Sequence, residues 1–138
     1  MGSPTKNICP TGWHVPRDSD WNKLIISIDS GADTTGTATQ STTAGGKMKS
    51  TGNNLVGTGL WNSPNSGADN SSGFTALPGG FRNSDGSFYY NSNYAFIWSA
   101  SKTASLALNR TLFDNNGNVV RGKFSDKSIG GSVRCLRD

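Results

Sequence analysis

The sequence predicts an α+β domain in which one amphipathic helix precedes a twisted, mostly antiparallel sheet, and three observations predict it. Apolar residues recur at helical spacing only near the N-terminus, at Trp21, Leu24, Ile25 and Ile28. The second half alternates short apolar and aromatic runs with Asp-Gly and Asn-Gly pairs, which tolerate the positive φ of hairpin turns. Between these parts lie long stretches of Gly, Ser, Thr and Asn, the composition of loops. A length of 138 residues suffices for one domain around one core.

Taken in order, Met1-Gly2-Ser3 reads as an appended start. The natural chain is therefore expected to extend further N-terminally, where a signal or lipid anchor would lie, and residues 4–138 are read as a single domain. Trp13 to Pro16 reads as a short strand, after which Asp18 or Ser19 can cap the helix with a side-chain oxygen. The stripe from Trp21 to Ile28 is one face of about three helical turns, ended by Ser30-Gly31. Gly31 to Gly46 offers almost no apolar side chains and is expected to be an exposed loop. Lys47-Met48-Lys49 is where a second, short helix would start. Thr51 to Gly73 is a long irregular segment that Trp61 is expected to pin to the body.

Strands are then expected at Phe74–Phe81, Phe88–Tyr90, Tyr94–Ser99, Leu106–Phe113, Val119–Phe124 and Ser132–Leu136. If Asn116-Gly117 forms a two-residue turn, side-chain alternation puts Asn109, Thr111 and Phe113 on one face with Val120, Gly122 and Phe124. Leu108, Arg110, Leu112, Val119 and Arg121 share the other. Each face holds apolar residues, so the pattern leaves open which one is core.

Composition narrows the class. Only 33% of residues are hydrophobic and 16% charged, while four Trp, six Phe and three Tyr supply much of the available burial. Such a polar, Gly-rich mix fits a secreted or surface protein. The net charge of +4 is dispersed, with no basic run longer than Lys47-Met48-Lys49, so no nucleic-acid partner is expected. Nothing approaches membrane-spanning length, so contact with a membrane is expected only through an anchor outside this chain. Cys9 and Cys135 stand near opposite ends and suggest one disulfide tying the termini, the alternative being two buried thiols. With His14 the only histidine and no CxxC pair, neither a metal nor any other cofactor is expected.

Several motifs occur in a fixed order: Cys9-Pro-Thr-Gly-Trp-His-Val-Pro16, Gly73-Phe-Thr-Ala-Leu-Pro-Gly-Gly-Phe-Arg82, Asp85-Gly-Ser-Phe88, Trp98-Ser99 and Ser132-Val-Arg-Cys-Leu-Arg-Asp138. Together they resemble the Fibrobacter succinogenes major paralogous domain family of bacterial envelope proteins. That resemblance implies a C-type-lectin-like fold, similar to sulfatase-modifying-factor domains and to the variable proteins of diversity-generating retroelements. In that fold the terminal strands pair, which would bring Cys9 and Cys135 together. Family members are often terminal modules of exported lipoproteins. The C-terminal part also resembles a retroelement-diversified segment, in which varied residues flank a fixed Arg. Asn109-Arg110-Thr111 and Val120-Arg121-Gly122 fit that layout. The chain departs from the family at Ile97, Leu108, Asn109 and Val120, where aromatics are frequent, and at Gly131, where Phe is.

The expected function is recognition of a protein or glycan on another surface. The candidate ligand-facing residues are Asn109, Thr111, Phe113, Val120, Gly122 and Phe124, with Tyr90, Tyr94 and Ile97 beside them; the alternative is that the apolar members are core. Calcium-dependent sugar binding is not expected, because the Glu-Pro-Asn and Gln-Pro-Asp loops are missing and Trp61-Asn62 is followed by Ser63. Metal-free sugar stacking on Trp61 or Tyr94 is a weaker alternative. Catalysis is not expected: both cysteines lie in terminal structural motifs, which counts against a formylglycine-generating activity, and His14 has no evident nucleophile and reads as packed. Asp18, Asp20 and Asp29 read as capping and solvated charges. A structural display module of an envelope lipoprotein, without a ligand of its own, is the competing class.

Overall fold

The structure is a computed structural model, and it describes residues 8–36, 38–124 and 127–138. Met1-Gly2-Ser3 and Thr37 of the expected Gly31–Gly46 loop lie outside the described residues. The architecture is α+β, with two helices and mostly antiparallel strands in the order β1 (Trp13–His14), α1 (Asp18–Ile28), β2 (Thr39–Ser41), α2 (Ala44–Met48), β3 (Phe81–Arg82), β4 (Phe88–Tyr89), β5 (Tyr94–Thr103), β6 (Leu106–Phe113), β7 (Val119–Phe124) and β8 (Leu136–Arg137). The main sheet has strand order β2-β7-β6-β5, while β1-β8 and β3-β4 form separate two-stranded ribbons. The β1-β8 ribbon brings the two ends together, and Cys9 and Cys135 are joined by a disulfide across 126 residues of sequence.

Helix α1 lies where the apolar stripe places it. Trp21 and Ile25 are buried, with Leu24 and Ile28 packed beside them. Its N-cap is Arg17 rather than Asp18 or Ser19: the Arg17 amide donates to the Asp20 carboxylate at 2.9 Å, which closes the first turn. Asp18 is therefore released for another task. Its two oxygens accept from Arg110 at 2.9 Å and from Arg121 at 2.6 Å, so it is the anion of a largely buried ion bridge and not a solvated charge. Arg110 itself is 0% exposed. Its burial is tolerable because Asp18 and the Asn22 carboxamide both accept from the guanidinium.

The side of the sheet facing α1 is the core. Ala95 and Ile97 of β5, Leu112 of β6 and Val119 of β7 pack with Trp21, Ile25, Met48 and Trp61. Trp61 is fully buried and its indole N–H donates to the Ala76 carbonyl at 3.1 Å, so it does pin the long irregular segment. For the same reason it offers no face to a sugar.

Five expectations about local elements are corrected. Gly31–Gly46 is not wholly an exposed loop. It contains β2, paired with β7, and Gln40 and Ser41 are buried because their side chains bond to Asn22 and Asp29. Lys47 and Met48 end α2 rather than begin it, and Gly45 and Gly46 let that helix approach the backbone of Gly117–Asn118 and Gly67 more closely than any side chain would allow. The Phe74–Phe81 run yields only the two-residue β3, since Thr75 and Gly80 have positive φ and Pro78 has no amide to give to a ladder. The last strand is Leu136–Arg137, while Ser132 makes only an isolated parallel bridge to Ile97.

The fifth correction is the Asn116-Gly117 turn. A two-residue turn would pair Leu112 with Arg121, whereas Leu112 pairs with Val119. The connecting loop is longer because it is held from elsewhere. The Lys49 ammonium donates to the carbonyls of Phe113 at 2.8 Å and Asn116 at 3.0 Å, as well as to Ser66 at 2.9 Å, and Gly45 donates to Gly117. A shift of two preserves side-chain alternation, so the expected sharing of faces between β6 and β7 survives the change of register.

Candidate functional site

The face of the sheet turned away from α1 carries the candidate residues. Cross-strand pairs Asn109–Gly122 and Thr111–Val120 join β6 to β7, and Tyr94–Phe113 and Phe96–Thr111 join β5 to β6. With Phe124 they line a single groove of about 230 Å³. Phe81 and Phe96 complete its aromatic wall, and Lys123 completes it between Gly122 and Phe124. Thr111, Phe113, Val120, Gly122 and Phe124 are partly exposed. Asn109 is fully buried in the floor.

The expected group therefore divides. Asn109, Thr111, Phe113, Val120, Gly122, Phe124 and Tyr94 are brought together. Tyr90 is not in the groove lining but stacks on Tyr94, with ring centroids 4.3 Å apart, and so backs its wall. Ile97 is misplaced by the expectation: it pairs with Arg110, its side chain joins the core, and it is 5% exposed. Residues on either side of it, Phe96 and Trp98, hold the outward positions of β5. The sequence did contain that signal, since alternation from Tyr94 puts Phe96 and not Ile97 on its face.

The walls are rigid because their rings support one another. Phe113 meets Tyr94 edge-on, Phe124 and Trp98 each meet Phe96 edge-on, and Phe81 contacts Tyr89, Tyr90, Phe96 and Phe124. Tyr90 holds a φ of 57°, unusual for a bulky residue, which keeps its ring over Tyr94. Burial, with Tyr90 and Asp114 nearby, pushes the Tyr94 phenol above its ordinary value, so it stays a neutral hydrogen-bonding group.

The floor is polar. Thr111 donates its hydroxyl to Asn109 Oδ1 at 3.1 Å, while Asn109 Nδ2 is buried with no partner. Gly122 lies over this amide. Beyond Phe81 is a second hollow of about 260 Å³, lined also by Arg82, Phe88, Ser132, Gly79, Gly130 and Gly131. The Arg82 guanidinium sits 6.0 Å over the Phe88 ring.

His14 is only partly buried rather than packed away. One ring nitrogen bonds to the Asp138 carboxylate and the other faces Asp20, so it fastens β1 to the C-terminus and to α1. No group of three or more metal-ligating side chains occurs among the described residues. None of their helices is long and apolar enough to cross a membrane.

Phe81, Phe96, Lys123 and Arg82 are members of the site that sequence reasoning did not select. Phe81 comes from outside the main sheet, and nothing in the local pattern says that its hairpin folds against β5. No curated protein and no solved structure matches the chain. The family model of the Fibrobacter succinogenes major domain matches residues 2–137, nearly the whole length, and the chain belongs to that family.

Proposed function

We propose that this chain is a non-enzymatic recognition module of C-type-lectin-like fold, displayed on the outside of the cell or secreted, that binds its ligand in the groove on the outer face of β5, β6 and β7. The observation that carries the reading is convergence: alternate residues of β6 and β7, with Tyr94, line one half-open aromatic groove opposite the core. Rigid rings give large contact area at small entropy cost, and the hydroxyl and amide beneath them can adapt hydrogen bonds. The paired terminal ribbon and its disulfide support both the fold and an oxidising location. Both cysteines are consumed in that bond, which favours binding over thiol chemistry.

The same arrangement favours the diversified-protein reading. Arg110 and Arg121 are tied to Asp18 behind the sheet, while their sequence neighbours Asn109, Thr111, Val120 and Gly122 line the groove in front. The partly exposed side chains in front, Thr111 and Val120, can vary without disturbing the ion bridge behind.

The test is selection from unbiased glycan and peptide arrays with the wild-type chain, repeated with Thr111→Arg, which fills the groove from a partly exposed position. Loss of at least tenfold in affinity, with an unchanged far-UV spectrum and a cooperative thermal transition, is expected. Undiminished binding by a folded Thr111→Arg chain would place the ligand elsewhere.

A further inference from the structure

The groove and the second hollow share one wall, the Phe81 ring, and differ in chemistry. The groove is walled mainly by aromatic rings. The hollow is lined by Arg82, Ser132, Phe88 and three glycines. Among the described residues no carboxylate lines either one. Beside them Phe88, Tyr89 and Tyr90 are 67%, 43% and 49% exposed, three consecutive rings of the residue types enriched where proteins dock.

From this we infer that the surface binds an extended acidic peptide segment of a protein partner, seating an apolar side chain in the groove and a carboxylate against Arg82. This rests on the groove being the recognition site and adds the class of partner. In an extended chain, side chains two residues apart point the same way, about 7 Å apart. The groove and the hollow meet at Phe81, so one extended segment crossing that ring can reach both. The apolar side chain gains by leaving water among Tyr94, Phe113 and Phe124, as the central anchor of an interface does. The carboxylate meets the exposed Arg82 guanidinium, 6.0 Å over the Phe88 ring, whose planar fork of N–H donors matches a carboxylate. Gly131 leaves room for the Phe96 ring between hollow and groove: a Cβ there would stand 2.5 Å from it.

The probes are fluorescein-labelled hexapeptides containing Phe-Ser-Glu, Phe-Ser-Lys or Phe-Ser-Ser, with polygalacturonate as a polyanionic saccharide, each titrated into the wild-type, Arg82→Glu and Thr111→Arg chains. Arg82 is exposed, so its reversal leaves the fold intact. The Phe-Ser-Glu peptide is expected to bind at least tenfold more tightly than the Phe-Ser-Lys peptide. Arg82→Glu is expected to invert that order, and Thr111→Arg to abolish binding of all three. Equal binding of the acidic and basic peptides, or an order unmoved by Arg82→Glu, overturns the inference. If polygalacturonate binds in a Thr111-dependent way and the peptides do not, the partner class is wrong and the groove stands. If array ligands bind while Thr111→Arg changes nothing, the groove itself is wrong.

Discussion

Gly122 pairs with Asn109 across β6 and β7, and a Cβ on Gly122 would stand 2.6 Å from Asn109 Oδ1. The carboxamide thus fills the place that a side chain on the facing strand would take. Together the two residues set the depth of the groove floor. Gly122→Ala is expected to destabilise the chain by about 1–3 kcal/mol through overpacking. Asn109→Ser in the same chain should recover most of that loss, because the shorter side chain vacates the space. Urea unfolding of the two single variants and the double variant checks this as a double-mutant cycle.

Lys49 is 0% exposed and its ammonium donates to three backbone carbonyls, with the Trp61 ring 5.3 Å away. Burial pushes its pKa down to about 8, against the pull of the Asp114 carboxylate. Lys49→Met keeps much of the packing but removes the donor. It is expected to lower stability by about 2–4 kcal/mol, since buried carbonyls are left unpaired. Amide exchange at Asn115–Asn118 should rise selectively, which a general loss of stability would not produce.

Asp18 gives the fold an acid-sensitive joint. Burial works to raise its carboxyl, but hydrogen bonds and charge from Arg121 and Arg110 outweigh burial and hold it below the ordinary 3.8. A carboxylate lowered in the folded chain contributes stability that is fully present above its unfolded value and is lost as pH falls through its folded value. Stability from this group should therefore be flat from neutrality to about pH 5 and decline below about pH 4. Asp18→Asn is expected to be less stable at pH 7, by about 2–4 kcal/mol, because two guanidiniums then face each other without an anion. It should also show a shallower acid decline. Urea midpoints measured from pH 7 to pH 3 for both chains decide it.

Reduction of Cys9–Cys135 reopens a loop of 126 residues. The chain-entropy model gives the bond about 4–5 kcal/mol. Addition of dithiothreitol, or Cys9→Ser with Cys135→Ser, is expected to lower the melting temperature by at least ten degrees. A melting temperature unmoved by reductant would mean that the terminal ribbon is held without the bond.

How much of this was legible depended on how local each cause is. The helix was readable because Trp21, Leu24, Ile25 and Ile28 lie within two turns of one another. The division of β6 and β7 into two faces was readable because a register change of two leaves alternation intact. Other features depend on remote partners. The turn at Asn116-Gly117 is lengthened by Lys49, 67 residues earlier, and Asp18 is claimed by Arg121, 103 residues later. Ile97 is buried because alternation along β5 turns it to the face opposite Tyr94 and Phe96. Which face became core was decided by where α1 packs, and no strand pattern encodes that.

We propose that recognition happens in the groove between Tyr94, Thr111, Val120 and Phe124. The most direct measurement is two-dimensional amide NMR of the ¹⁵N-labelled chain, titrated with the tightest array-selected ligand. Perturbations concentrated on β6, β7 and the start of β5, and absent from α1 and β8, are the predicted result. Perturbations centred instead on the separate hollow lined by Trp13, Leu24, Phe74 and Leu136 would contradict it.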